Sequence, residues 1–358
     1  MLKRLDWYII KKYIGTYLLS IVLIISISVI FDFTEKIDNF IENNAPAKAI
    51  VYDYYMNFIP FFANMFTPLF SFISVIFFTS KLANNSEIIA MLAGGMSFNR
   101  LLRPYFISAS LICIFSFFLM GFVIPPANKV RLEFEDQYIK KFKSEIARNV
   151  QMEIEPGVIV YFERYEERTQ TGYHFSLEKF EGKKLVSRMT ANTIKMDSAS
   201  HWNARNYLIR NFDGMYENIQ KGESLDTIIH MDPEDFFITA EQAAQMTNPQ
   251  LRHYINKQEK RGLGNIQAFK DEYYKRFSTP LASLILMLIG VSLSSKKVRG
   301  GMGINIGIGL ALSALFILFS TLSSTFAING SMNPLLAVWL PNILFLIIGL
   351  FLYTKAPK

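Results

Sequence analysis

Lys275 and Arg276 stand side by side in "YYKRFSTPL", at the head of a long apolar run. Residues of this type at such a place suit an anion clamp. A guanidinium pairs phosphate or carboxylate oxygens as a fork, and an ammonium adds a compact point charge. Lys36, in "VIFDFTEKIDNF", has the same potential, although Asp32 and Glu35 beside it compete for its charge. All three cations have a plainer reading, because long basic side chains at the end of an apolar helix snorkel toward water. Glu87, in "KLANNSEIIAMLAGG", is a different case. Asn84 offers an N-cap with Glu87 three residues on, the spacing of a capping box. Ile88, Met91 and Leu92 make an apolar stripe, and Gly94 and Gly95 supply a stop. This predicts a short helix over 84–94. Spacing leaves two roles open for it: a plain connector, or a docking element for another protein.

Covalent and metal chemistry find no residues to carry them. The chain has no GxxxxGK[ST], no HExxH and no GxSxG. Its four histidines, His174, His201, His230 and His253, lack ligand spacing. Ser283, Ser313 and Ser320, inside apolar runs, read as hydroxyls bonded to the carbonyl one turn back. Asp32 is the sole acidic residue near a span interior, which leaves an intramembrane protease without a pair. The single Cys113 excludes an intrachain disulfide. The expectation is a protein without catalytic residues, cofactor or metal of its own, whose work is moving, holding or sensing something.

The elements that position these residues follow from composition. Of 358 residues, 51% are hydrophobic and 15% aromatic, with 32 Phe. Six runs, 13–33, 55–80, 101–124, 274–294, 303–325 and 334–353, approach the ~20 residues needed to cross a bilayer. The first reads as an uncleaved anchor. The net charge of +7 is read loop by loop, not as a nucleic-acid signal. Lys3, Arg4, Lys11 and Lys12 precede the first run, and Lys81, Arg100 and Arg103 lie between the second and third. Lys296, Lys297 and Arg299 lie between the fourth and fifth, and Lys355 and Lys358 follow the last. The positive-inside rule therefore predicts both termini in the cytoplasm and the long middle segment outside.

Three regions result: 1–124 with three spans, 125–273 outside, and 274–358 with three more. In the middle region Pro125 and Pro126 are expected to stop a helix, and a new amphipathic one to follow. Then "GVIVYFERY", "GYHFSLEKF", "KLVSRMTANTIKM", "NYLIRNF" and "SLDTIIHM" alternate as strands, with turns at Gly182 and Gly214. A sandwich, jelly roll or open barrel would fit. A helix with Thr247 or Asn248 as cap, Leu251, Tyr254 and Ile255 on its apolar face and Gly262 at its end closes the region. In the fifth span Gly303, Gly307 and Ala311 form a ladder of small residues, suited to ordinary packing or to a span that opens against a neighbour. Pro334 starts the sixth span and Pro341 kinks it.

Several of these stretches, in order and at matching spacing, resemble the LptF/LptG family of lipopolysaccharide export permeases. They are "LDWYIIKKY" (5–13), "NSEIIAMLAGGMSFNRLLRP" (85–104), "YYKRFSTPLASLILMLIGVSLSSKKVRGGMG" (273–303) and "NPLLAVWLPNILFLIIGL" (333–350). The resemblance covers the whole chain. It implies an α-helical membrane bundle of six transmembrane helices with an inserted β-jellyroll-like periplasmic domain. It implies a bacterial inner-membrane subunit of an ATP-binding-cassette exporter, with ATP and Mg bound by a separate LptB-like ATPase dimer. A second LptF/LptG permease would pair with it. Lipopolysaccharide would enter between the first span of one permease and the fifth of the other, and leave through the β domain to an LptC-like bridge protein. Glu87, with Gly94 and Gly95 ending its helix, matches the coupling helix that contacts the ATPase. One departure is the cation of the first span: LptG-type members tend to carry a lysine on its outer part, and here Asp32 stands near that place, with Lys36 a turn later. The sequence does not cleanly divide LptF from LptG, and the reading leans to LptG. The runner-up class is a mechanotransmission or scaffolding protein driven by an ATPase without a transported lipid.

Overall fold

Long apolar runs fold as helices because a backbone in hydrocarbon must satisfy its own hydrogen bonds. The computed structural model describes residues 3–139, 146–198, 200–231, 240–260, 266–296 and 301–356. Its N-terminal helices are α1 (Arg4–Glu42), α2 (Ala47–Ala49), α3 (Met56–Asn84), α4 (Glu87–Ala93), α5 (Phe98–Phe118) and α6 (Ile124–Tyr138). π-helical stretches at Ile50–Tyr55 and Leu119–Val123 join α2 to α3 and α5 to α6. After six strands come α7 (Ala240–Ala243), α8 (Asn248–Lys260), α9 (Gln267–Ser294), α10 (Gly301–Ile328) and α11 (Pro334–Thr354). Among the described residues six helical segments are long and apolar enough to cross a membrane, and each contains one expected span. The first three run well past it: Arg4–Glu42, Ala47–Asn84 and Phe98–Tyr138.

One expectation fails here. Pro125 and Pro126 do not stop a helix; they lie in the first turn of α6, directly after the π-helical stretch. Proline costs a helix its i−4 hydrogen bond and crowds the i−4 carbonyl. A wider π turn just upstream has already shifted that register, so the helix passes through. At the other end of the chain Pro334 does open α11, with the Asn333 side chain accepting the Leu335 N–H at 3.0 Å.

The chain forms two compact units. The first comprises Met1–Ile139, Ala244–Asn248 and Lys270–Lys358. Its hub is α3, which packs against α1, α5, α6 and α10. The face of α3 that meets these neighbours is studded with polar residues, and five of them have a partner on another helix. Tyr13 and Tyr17 of α1 pair with Ser71 at 2.6 Å and Thr67 at 2.9 Å. Thr79 of α3 donates to Tyr105 of α5 at 3.0 Å, and Ser116 of α5 donates to Asn64 of α3 at 2.6 Å. Asn305 of α10 donates to Ser80 at 3.1 Å. Such bonds, with no water to compete, hold helices together where hydrophobicity cannot, since lipid tails are as apolar as leucine.

The second unit is Lys140–Ala243 with Pro249–Phe269. Its strands are β1 (Ile146–Glu155), β2 (Val158–Glu166), β3 (Thr171–Glu181), β4 (Lys184–Ser198), β5 (His201–Asp213) and β6 (Tyr216–Ile228). They pair antiparallel in chain order as one open six-stranded sheet, so the all-β insertion is borne out. β1 was not expected: the alternation of Val150, Met152 and Ile154 was hidden behind the helical pattern before it. Two-residue loops after Glu181 and Asp213 start at Gly182 and Gly214, both with φ of 63°, which glycine adopts without strain. One face of the sheet buries Phe162, Phe175, Ile194 and Trp202. Trp202 Nε1 donates to the Ile229 carbonyl at 3.2 Å. The ring of Phe162 lies where a Cβ on Gly172 would be, so only glycine fits opposite it. The edge strand β6 is largely exposed. Beside it Arg210 pairs with Glu217 at 2.7 Å and holds that carboxyl below the usual carboxylate range. In α8, Leu251 and Ile255 are buried as their spacing predicts; Gly262 lies outside the described residues.

Candidate functional site

The short helix α4 starts two residues later than its capping pattern predicts, with Ser86 rather than Asn84 at the N-cap position. Asn84 is the last residue of α3 rather than a cap. Ser86 turns the chain with φ of 62°, and the Asn85 amide donates to Glu87 Oε1 at 3.2 Å. Glu87 thus sits in the first turn, where the positive end of the helix favours a carboxylate, and it is half-buried. The stop falls where the glycines put it. Gly94 N–H bonds the Ala90 carbonyl at 2.9 Å, and Gly95, with φ of 83°, bonds Leu92 at 3.0 Å. Ile88 is fully buried, in one apolar cluster with Ile9 and Tyr13 of α1 and Phe98 and Leu101 of α5. Ile89, the next residue, is 52% exposed. The helix is therefore seated by one side and presents another.

The three cations share one arrangement. Each has a carboxylate four residues before it on its own helix: Asp32 for Lys36 at 2.7 Å, Asp271 for Lys275 at 2.7 Å and Glu272 for Arg276 at 3.0 Å. The acid-then-base order at i, i+4 is the favourable one. "DEYYKR" carries that signal for the last two pairs, and the sequence reading missed it. Around Lys36, Tyr54 and Tyr55 donate to Asp32 at 3.1 and 3.2 Å, Lys36 hydrogen-bonds the Tyr54 hydroxyl, and its Nζ lies 4.9 Å from the Tyr54 ring centroid. Lys275 is 34% exposed. Arg276 is buried, and its Nη1 donates to the Met246 carbonyl at 2.7 Å and to Asn248 Oδ1 at 2.9 Å. It holds the segment Ala244–Asn248 against the head of α9. Asn128 of α6 bonds the same segment at Ala244, at 3.3 Å. Lys36 bonds Asp32 and Tyr54, whereas Lys275 and Arg276 bond Asp271 and Glu272, so the described contacts place them in separate clusters.

The small-residue ladder faces outward. Gly303, Gly307 and Ala311 are exposed, and a Cβ on either glycine would meet nothing within 4 Å. The packed side of α10 is its opposite one, with Asn305, Gly309, Ser313 and Phe316 buried; a Cβ on Gly309 would strike Ile76 of α3. Ser313 donates to the carbonyl one turn back, Gly309, at 2.8 Å, as expected for a serine in a span. Ser283 departs from that expectation, because its buried hydroxyl has no hydrogen-bond partner among the described residues. Between α3, α9, α10 and α11 lies a cavity of about 160 Å³ rimmed by Ser278, Ser320, Pro68 and Asn342. Asn342 donates to the Ser278 carbonyl at 2.8 Å, tying α11 to α9.

A family profile described as "Lipopolysaccharide export system permease LptF/LptG" matches residues 7–355, nearly the whole chain. The chain belongs to the LptF/LptG family. A search of curated proteins gives no match. Family membership makes the chain a multi-pass membrane permease of lipopolysaccharide export, a transport subunit without catalysis of its own. It also implies partners from the Lpt system. Within this LptF/LptG chain two groups of residues escaped sequence reasoning. Tyr13 and Tyr17, with Ser71 and Thr67, bind α1 to α3, and Asp6 with Arg100 binds α1 to α5. The i, i+4 spacing of the tyrosines marks a face but not its partner. Nothing local marks Asp6 and Arg100 as a pair.

Proposed function

We propose that this permease is driven by an LptB-like ATPase dimer through α4, and that it pairs with a second LptF/LptG permease along α1 and α10. The observation that carries the reading is the uneven burial of the spans. Only 11% of the apolar core of α1 and 22% of that of α10 are buried, against 61% for α9. Those two helices also offer an open small-residue ladder and a row of exposed side chains, Leu19, Val22 and Phe31 among them. Lipopolysaccharide would enter between α1 of one permease and α10 of the other. Its acyl chains each lose ~0.8 kcal/mol per CH₂ on leaving hydrocarbon, so they need an apolar lining along the whole path. The apolar face of the β sheet would continue that path toward an LptC-like protein.

In this reading both termini and α4 are cytoplasmic and the β unit is periplasmic. ATP and Mg are held by the ATPase and not by this chain. Lys36, Lys275 and Arg276 supply positive charge for the anionic head group. Lys275 has the accessible side chain, and Arg276 adds field from behind it. Lys36 stands one turn beyond Asp32, which lies near the place of the LptG-type lysine, and is the cation of the first span nearest to it; the reading leans to the LptG position in the pair.

The test is reconstitution of the chain with its ATPase and partner permease in proteoliposomes carrying lipopolysaccharide. Glu87→Lys should leave assembly intact and lower ATP-driven lipopolysaccharide release at least about tenfold, as expected when a docked carboxylate meets its basic partner with the wrong charge. Normal release would remove α4 from the ATPase interface. Photoreactive groups on the open faces of α1 and α10 should crosslink lipopolysaccharide. ATP hydrolysis without any such crosslink would favour a mechanotransmission protein. Pull-down of the partner permease decides between the LptF and LptG positions.

A further inference from the structure

One charged contact joins α1 to the corner where α4 turns into α5. Asp6 lies in the first turn of α1 and Arg100 in the first turn of α5. Arg100 Nη1 donates to Asp6 Oδ1 at 2.7 Å, and Nη2 to Oδ2 at 2.6 Å. Asp6 is 2% exposed, and its Oδ2 also accepts the Lys3 backbone N–H at 2.7 Å, which closes the start of α1. Arginine in the first turn of a helix stands at the wrong end of the macrodipole. α5 is already capped, since Ser97 Oγ accepts the Arg100 backbone N–H at 3.3 Å. Local helix chemistry therefore gives Arg100 no reason to be there, and the pair does.

A two-pronged guanidinium–carboxylate contact fixes an angle as well as a distance. The same place is filled with apolar packing, in which Ile9 of α1, Ile88 of α4 and Phe98 of α5 share one cluster. Further along, α1 changes character: Tyr13 and Tyr17 are pinned to α3, then Leu18 to Phe31 is mostly open. A displacement of the α4–α5 corner thus has a stiff route to the first turns of α1, and past the two tyrosine tethers the helix presents a mostly open stretch from Leu18 to Phe31.

We infer that the Asp6–Arg100 pair is a positioning strut that makes α1 follow the α4–α5 corner, converting movement at α4 into movement of the open face of α1. The inference rests on the reading of α4 as the ATPase contact. Both residues act through the helices they join.

The experiment uses the complex with the ATPase and partner permease, in proteoliposomes with lipopolysaccharide. Asp6→Asn keeps the shape and the acceptor for Lys3 but loses the charge. Asp6→Asn with Arg100→Gln removes both charges, so that neither is left buried and unpaired. In both, ATP hydrolysis should continue while lipopolysaccharide released per ATP falls about fivefold or more, the scale of a typical coupling energy. Arg100→Lys, which keeps charge without the fork, should fall less. Release per ATP within about twofold of the unaltered complex would overturn the strut, being below any useful coupling. So would a loss that only tracks reduced assembly or a lower thermal midpoint, which is what a purely structural pair would give. A second readout is independent of export: spin labels on Lys12→Cys of α1 and Phe106→Cys of α5, both exposed and outside the proposed interfaces, in a Cys113→Ala background. Their distance distribution should be narrow and should broaden on Asp6→Asn, and an unchanged width also overturns the strut. If the unaltered complex releases no lipopolysaccharide on ATP, the export reading fails, and the spin-label distances still decide the strut.

Discussion

α9 and α1 are both long apolar helices, yet the chain uses them in opposite ways. α9 is the most buried span, with 61% of its apolar core enclosed, and α1 is the least, with 11%. α9 earns its place through close contacts on several sides. A Cβ on its Gly290 would come within 2.9 Å of Val75 of α3, and Gly349 of α11 lies against its Ile289. Asn342 donates to its Ser278 carbonyl, and its own Arg276 donates to the Met246 carbonyl. α1 is held at intervals instead: by Asp6 at its start, by Tyr13 and Tyr17 next, and by the Asp32–Lys36–Tyr54 cluster near its end. Between the last two it presents leucine, isoleucine and phenylalanine outward. The contrast separates a packed frame, α3 and α9, from two helices, α1 and α10, that leave most of their apolar surface uncovered within the chain.

The largest effect that would break this contrast is expected at Arg276. Its replacement by methionine leaves the Met246 carbonyl, Asn248 and Glu272 without their donor inside the frame. Removing one partner from a buried ionic contact costs about 3 kcal/mol or more. Arg276→Met should therefore lower the thermal midpoint of the chain in detergent markedly. Arg276→Lys should recover only part of it, because a point charge cannot reproduce the fork. An unchanged midpoint in Arg276→Met would mean that the head of α9 is no better fixed than α1.

A sharper version of the contrast lies within α10, in two glycines two positions apart. Gly309 faces Ile76 of α3 and Gly307 faces outward. Leucine at 309 overfills a packed contact, for which ~1–3 kcal/mol is the usual cost. Leucine at 307 meets nothing in its own chain. Gly309→Leu should lower the midpoint of the isolated chain, and Gly307→Leu should leave it alone but reduce recovery of the partner permease on pull-down. Equal effects on the isolated chain would show that the open face of α10 is not open. Equal recovery of the partner would move the pairing surface elsewhere.

The difference between these two glycines was not legible in the sequence, and the reason is physical. Apolar composition separates hydrocarbon from water, which is why all six spans and the open ladder Gly303–Gly307–Ala311 could be found. It does not separate protein from lipid, because a lipid tail and a leucine side chain are equally good neighbours. The local signals worked where one residue type does a local job: Pro334 and Asn333 opening α11, Gly94 and Gly95 closing α4. They failed where a wide turn upstream excused Pro125 and Pro126, and where a helical pattern masked β1. The carboxylates before Lys275 and Arg276 were readable from i, i+4 spacing. Asp6–Arg100 was not, since 94 residues separate the pair and each looks like an ordinary interfacial charge.

The smallest effect belongs to the hydroxyls that tether α1. Tyr13→Phe and Tyr17→Phe each remove one bond to α3 while keeping the ring in the core. Interhelical hydrogen bonds in membranes are worth about 0.6 kcal/mol on average, with ~1.7 as an upper figure. The cost is also softened on the α3 side: Thr67 Oγ1 already donates to the Ala63 carbonyl at 2.9 Å, and Ser71 can turn to the carbonyl of its own preceding turn. The double variant should therefore shift the thermal midpoint only slightly, well short of Arg276→Met. Hydrogen exchange should quicken along α1 and not along α9, because the tethers act on one helix and the frame stays packed. A loss as large as that of Arg276→Met would mean that the tyrosines belong to the frame, and α1 could no longer be described as a helix held at a few points and free between them.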